Sequence, residues 1–120
     1  MNTSSLIFVR RGAAGFLEGR ARAGSGPRGE LLARFLQSDV QGDGDAVRAL
    51  LAAITTAERG AMPQPALIGN AFALRIGPDG AVIENVVMAD PRPQHYTLAE
   101  LRAALVAWLA AIRDEGCNRA

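Results

Sequence analysis

Few side chains in this sequence have reactive chemistry, and their spacing decides how far each can be taken. His95 is the one histidine and Cys117 the one cysteine in 120 residues. A thiol nucleophile needs a base within reach, and these two residues would have to supply both. The GCNRA context of Cys117 reads instead as an inert surface thiol. A Ser–His–carboxylate triad would draw its nucleophile from Ser4, Ser5, Ser25 or Ser38, none of which sits in a nucleophile-elbow context. A single histidine also rules out a His-based metal cluster. Asp39, Asp43 and Asp45 surround two glycines in the manner of a calcium loop. The EF-hand pattern, however, needs acids at alternate positions and a bidentate Glu at its end, and neither is present. Helix capping and solvated charge account for these acids. The run Gly24-Ser25-Gly26-Pro27-Arg28-Gly29 matches G-x-G-x-x-G, with Asp43 and Asp45 further on. A dinucleotide site requires a strand entering the first glycine and another after the helix. EGRARA precedes the motif and VQGDGD follows it, so the run reads as a flexible loop. No catalytic, cofactor-binding or metal site is expected.

Charge carries more information than chemistry. The formal net charge is +1, so no global field argues for nucleic acid. The signs are nonetheless uneven. All thirteen basic residues are Arg, and six of them (10, 11, 20, 22, 28 and 34) fall in residues 1–35 against Glu18 and Glu30. Over residues 36–100, eight acids face four Arg. The N-terminal arginines could contact phosphate, but only Phe16 interleaves with them, too little for a base-stacking platform. With 49% hydrophobic and 21% charged residues, the chain has the composition of one folded domain. One cysteine allows no internal disulfide and suits a reducing compartment. The apolar run Leu6–Val9 is too short for a signal peptide, and nothing approaches a membrane span. A cytoplasmic protein with no membrane partner is expected.

The elements that must position these residues follow from periodicity. Residues 1–30 form a Gly/Arg-rich segment, part of the domain or appended to it, in which Leu6–Val9 can be a short strand and the many glycines argue against regular structure. From Glu30, the spacing of Leu31, Leu32, Phe35 and Leu36 predicts a helix ending near Ser38-Asp39. Asp43 or Asp45 can cap a second helix with Val47, Leu50, Leu51 and Ile54 on one stripe, ending by Gly60. Residues 67–76 alternate as one strand, Gly77-Pro78-Asp79-Gly80 turns, and Ala81 to Met88 returns. Thr97-Leu98-Ala99-Glu100 is a capping box, with Tyr96 and Leu101 placed for a hydrophobic staple. The stripe Leu101, Leu105, Trp108 and Ile112 is expected to pack on the hairpin at Phe72, Leu74 and Val82, with Gly116 ending the helix. The fold class is therefore α+β: an antiparallel hairpin or sheet against about three amphipathic helices, with residues 31–116 as the main domain.

The block GNAFALRIGPDGAVIENVVMADPRPQHYTLAELRAALVAWLAAI carries a further pattern. A Gly-Asn-aromatic strand opening, a turn, V-x-I-E-N, then Y-T-L and a helix with L-x-x-W-L resembles the immunity proteins of bacterial contact-dependent growth inhibition systems. FLQSD (Phe35–Asp39) and the Val47–Ile54 helix also sit where that family has them, so the resemblance covers residues 31–113. It implies a cytoplasmic, non-enzymatic protein without cofactors. Such a protein binds the toxic C-terminal domain of a large exported effector, often a nuclease that cuts tRNA, and blocks its active site. Acids suit that role, since a nuclease cleft is cationic, and Asp39, Asp43, Asp45, Glu84 and Asp90 are the candidate toxin-binding residues. Two other classes remain: a small nucleic-acid-binding or regulatory module using the Arg-rich N-terminus, and a structural or oligomerisation subunit.

Overall fold

The computed structural model describes residues 2–12, 16–60, 64–68, 72–85 and 92–118. The architecture is α+β, as expected. Strands β1 (Asn2–Thr3), β2 (Ile7–Arg11) and β3 (Leu17–Ala21) form one antiparallel sheet in that order. Strands β4 (Gln64–Ile68), β5 (Phe72–Gly77), β6 (Gly80–Asn85) and β7 (Gln94–Tyr96) form a second, also in sequence order. Helices α1 (Gly26–Phe35) and α2 (Gly44–Glu58) lie between them in the chain, joined through a π-helical turn (Leu36–Val40), and α3 (Leu98–Asn118) follows β7. One apolar cluster draws on both sheets and all three helices. None of the described helices is long and apolar enough to cross a membrane.

Residues 1–30 hold far more regular structure than their glycines suggest. Ile7 and Val9 of β2 are buried on one face, and the β2–β3 pair runs from Ile7↔Ala21 to Arg11↔Leu17. Gly19 belongs there because α1 packs against β3 so closely. A Cβ at Gly19 would lie 3.3 Å from Ala33 Cα. The first helix starts at Gly26 rather than Glu30, with Pro27 in its first turn, where a missing N–H costs no hydrogen bond. The boundary expected at residue 31 thus falls inside α1.

The single strand expected over residues 67–76 is two strands. β4 pairs with β5 from Gln64↔Ile76 to Ile68↔Ala73, and Asn70 lies outside the described residues. The turn at residues 77–80 forms as expected, with Gly80 at φ +134°. The core face of β6 is the opposite of the one expected. Leu74 pairs with Ile83 and Ile76 with Ala81, all four buried, whereas Val82 shares its row with Arg75 and His95 on the other face. Directly paired residues point the same way, so register with Arg75 keeps Val82 out of the core. Val86, Val87 and Met88 lie outside the described residues.

Leu101, Leu105 and Trp108 are buried as expected, and Ile112 is partly so. Their main neighbours differ: α3 rests chiefly on α2, β1 and β2, and meets the second sheet lightly, at β6. The first sheet supplies the apolar face expected from the hairpin. Ala104, Ala107 and Ala111 interleave with the large residues and are buried with them, giving a face broad enough for two neighbours. The helix also passes Gly116 to end at Asn118, because glycine without a left-handed cap costs a helix only about 1 kcal/mol.

Candidate partner-binding surface

The FLQSD segment ends α1 with a π-helical turn rather than a clean stop. Gln41 N–H donates to Leu36 O at 2.8 Å, across five residues, and Gln41 then takes φ +54°. Such a conformation costs a non-glycine residue free energy and persists only where its surroundings fix it. Trp108 supplies that fixation: its Nε1–H donates to Gln41 O at 2.6 Å from a fully buried ring. Asp39, one residue before the turn's end, accepts the Phe72 N–H on Oδ2 at 3.0 Å and the Ser38 hydroxyl on Oδ1 at 3.0 Å. Phe35 and Phe72 meet edge to face, centroids 6.3 Å apart and planes at 88°. Residues distant in sequence (35–41, 72 and 108) therefore form one connected unit.

A second junction ties α1 to the start of α3. The capping box forms in both directions: Glu100 N–H donates to Thr97 Oγ1 at 3.0 Å, and Thr97 N–H to Glu100 Oε1 at 2.9 Å. Glu100 also pairs with Arg28, whose Nε donates to His95 O at 3.0 Å and whose guanidinium lies 5.3 Å from the Tyr96 ring centroid. Tyr96 returns a bond, its hydroxyl donating to Arg28 O at 2.6 Å. Hydrogen bonding from Arg28, aided by the Thr97 N–H, holds the Glu100 carboxyl below the usual range. Burial pushes the Tyr96 phenol well above its ordinary value. Both Tyr96 and Leu101 are buried, as a staple requires.

The candidate acids separate by role. Asp43 is the α2 N-cap, its Oδ1 accepting the Ala46 N–H at 3.1 Å. Asp45 is exposed and pairs with Arg48 at 3.1 Å. Asp39 is spent on Phe72 and Ser38, so it is first of all a structural residue. Glu84 is exposed and pairs in register with Ala73, which puts it at the same end of the second sheet as the Asp39–Phe72 junction. Asp90 lies outside the described residues. The structure thus brings Asp39 and Glu84 to one sheet end, with Asp43 and Asp45 following the π-helical turn.

The remaining reactive residues stay apart. His95 is exposed on the outer face of the second sheet, and no hydrogen bond joins it to a serine among the described residues. Ser25 Oγ donates to Arg22 O, and Cys117 falls in the last turn of α3. A strand does lead toward the Gly24–Gly29 run, contrary to expectation, since β3 ends at Ala21. After the helix comes the π-helical turn and α2 instead of a parallel strand, so the dinucleotide unit is absent. Sequence reasoning missed Arg28 and Gln41. The capping box marks where α3 starts, but no local signal shows that Arg28, 72 residues earlier, joins it.

The basic N-terminal segment presents Arg10 and Arg20 on the outer face of β2–β3, both held by Glu18 Oε2 at 3.1 and 3.5 Å. Phe8 is half-buried opposite Arg20, and Phe16 is 75% exposed where β3 begins. Comparison with known proteins finds no matching family model, no matching curated protein and no matching solved structure.

Proposed function

We propose that this chain is an immunity protein of the contact-dependent growth inhibition kind. In this reading it binds the C-terminal toxin domain of an exported effector, a nuclease acting on RNA, and occludes its active site. One observation carries the proposal: the residues of the resemblance are a structural unit. Asp39 of FLQSD holds the N–H of Phe72 from the Gly-Asn-aromatic opening, and Trp108 of L-x-x-W-L latches the residue two beyond Asp39. A pattern of this kind marks a fold, because changing one member leaves the others without partners. The toxin-facing side would use the carboxylates left exposed, Glu84 on the second sheet and Asp45 in the first turn of α2, with the capping Asp43 near Asp45. A nuclease cleft lined by cations attracts such groups as it attracts phosphate, and covering it excludes RNA by competition.

The test is a titration of this protein against the C-terminal domain of the effector encoded beside it, with growth of cells expressing that domain. Tight binding and restored growth are expected, and neither would be seen if the reading is wrong. A second reading, direct nucleic-acid binding, is favoured by Phe8, Phe16, Arg10 and Arg20 on one hairpin. It requires affinity for single-stranded RNA that falls steeply with salt. The shared Glu18, which occupies both arginines, weighs against it.

A further inference from the structure

β3 is an edge strand with a self-complementary sequence. Among the described residues no strand pairs with it on the side away from β2. Which groups face that open side follows from two bonds: Arg22 N–H donates to Leu6 O, and Gly12 N–H to Phe16 O. Even-numbered β3 residues therefore bond toward β2, and Leu17, Gly19 and Ala21 turn their N–H and C=O groups to the open edge. The Gly19 N–H confirms this, since it is met there by Gln37 Oε1 at 3.1 Å. An open groove of about 690 Å³ runs along this edge, lined among others by Gly19, Arg20, Ala33, Arg34, Gln37 and Phe72.

We infer that this edge pairs with the β3 of a second copy of the chain, antiparallel and centred on Gly19. The sequence Leu17-Glu18-Gly19-Arg20-Ala21 reads with opposite charges about its centre. A two-fold axis at Gly19 sets Glu18 of one copy opposite Arg20 of the other, twice, in positions where paired Cα atoms approach most closely. The long 3.5 Å Glu18–Arg20 pair within each chain is thereby exchanged for one across the axis, while Glu18 keeps Arg10. The same register sets Phe16, an exposed large apolar residue, across from Arg22 of the second copy, whose guanidinium is anchored on Ser4 O at 2.9 Å. Glu30 and Arg34, both lining the groove, have no partner among the described residues. The two-fold reverses α1, turning the Glu30 end of one helix toward the Arg34 end of the other. An isologous contact of this kind closes at two copies, because each copy's β3 edge is used up by the other and only the two-residue strand β1 is left at either end. Gln37 would exchange its bond to Gly19 for solvent as the partner strand enters. The alternative is that the charges and Gln37 simply protect the edge from association.

Sedimentation of the full chain separates the two. The wild type is expected to run at twice the chain mass at high micromolar concentration, with the Leu17 and Ala21 amides gaining exchange protection as concentration rises. Glu18→Arg or Arg20→Glu alone places like charges across the axis and should weaken the dimer at least tenfold. The double variant E18R/R20E restores the opposite pairs across the axis and should bind more tightly than either single variant. It should fall short of wild type because position 18 then carries a cation opposite Arg10 of its own chain, with circular dichroism confirming that each variant is folded. A chain that stays monomeric into the millimolar range overturns the proposal, as does a dimer whose Leu17 and Ala21 amides exchange independently of concentration. A double variant no better than the singles, while folded, also overturns it.

Discussion

At the scale of single residues, the strongest demands fall on Trp108 and Glu100. Trp108 fills the core and also donates the bond that holds Gln41 in its left-handed conformation. Trp108→Ala should cost about 3–5 kcal/mol in urea unfolding, the range for deleting a buried aromatic. Trp108→Phe keeps most of the volume and loses the donor, so its cost should be smaller but include the unsatisfied Gln41 carbonyl. Equal stability of the Phe variant and wild type would show that the indole bond carries nothing. Thr97→Ala removes one arm of the capping box and should cost about 1 kcal/mol. Glu100 adds a pH dependence with a defined sign. Its carboxyl is held below 4.5 in the folded state, chiefly by Arg28, so the folded state binds that proton less readily than the unfolded one. The stabilisation is complete above the unfolded value and disappears as pH falls through the folded one. Glu100→Gln should flatten the acid limb of the stability profile below about pH 4.5. An unchanged limb would place the titration elsewhere.

At the scale of elements, the joint between the π-helical turn and β5 is the most informative. Asp39→Ala leaves the Phe72 N–H without its acceptor, and hydrogen bonds to charged groups are worth about 1.5–3 kcal/mol. Asp39→Asn keeps an acceptor oxygen and should recover part of that loss; thermal melts of the two variants make the comparison. The same joint shows what the sequence can reveal. The α2 stripe, a carboxylate cap at Asp43 or Asp45 and the capping box were all legible because their partners lie within four residues; the structure assigns the cap to Asp43. The π-helical turn was not, because it depends on Trp108, 67 residues from Gln41. β3 was hidden by Gly19, whose role appears only when Ala33 is packed against it. The face of β6 was misread because alternation fixes two faces without saying which is inner; pairing of Leu74 with Ile83 decides that. Of the candidate site, the acids were visible as charges, but their division into caps, struts and free carboxylates needed the tertiary structure.

At the scale of the whole molecule, the question is how surface charge would guide a partner. Arginine dominates residues 1–35 and carboxylates dominate residues 36–100, and the fold keeps much of this separation. Arg10 and Arg20 lie on the first sheet, whereas Glu84 is on the second and Asp45 opens α2. Under the immunity reading proposed above, a cationic toxin domain would be drawn toward the exposed carboxylates Glu84 and Asp45 before contact. Charges that act in this way change encounter more than residence, because rim groups are still hydrated in the complex. Asp39 is a poor probe of this effect, since reversing it would also break its bond to Phe72. Asp45 and Glu84 are exposed and make no contact that the core depends on. Asp45→Lys with Glu84→Lys should therefore lower the melting temperature only modestly, by the loss of a favourable charge in the first turn of α2. Association with the effector's C-terminal domain should slow by about tenfold or more at low ionic strength, with a weaker dependence on salt and little change in dissociation. Stopped-flow measurements across a salt series read all three quantities. Slower association at low salt that converges on wild type at high salt would support steering by these carboxylates. A salt dependence identical to wild type would remove Asp45 and Glu84 from the toxin-facing surface, and protection of growth by the double variant would then show that another face does the binding.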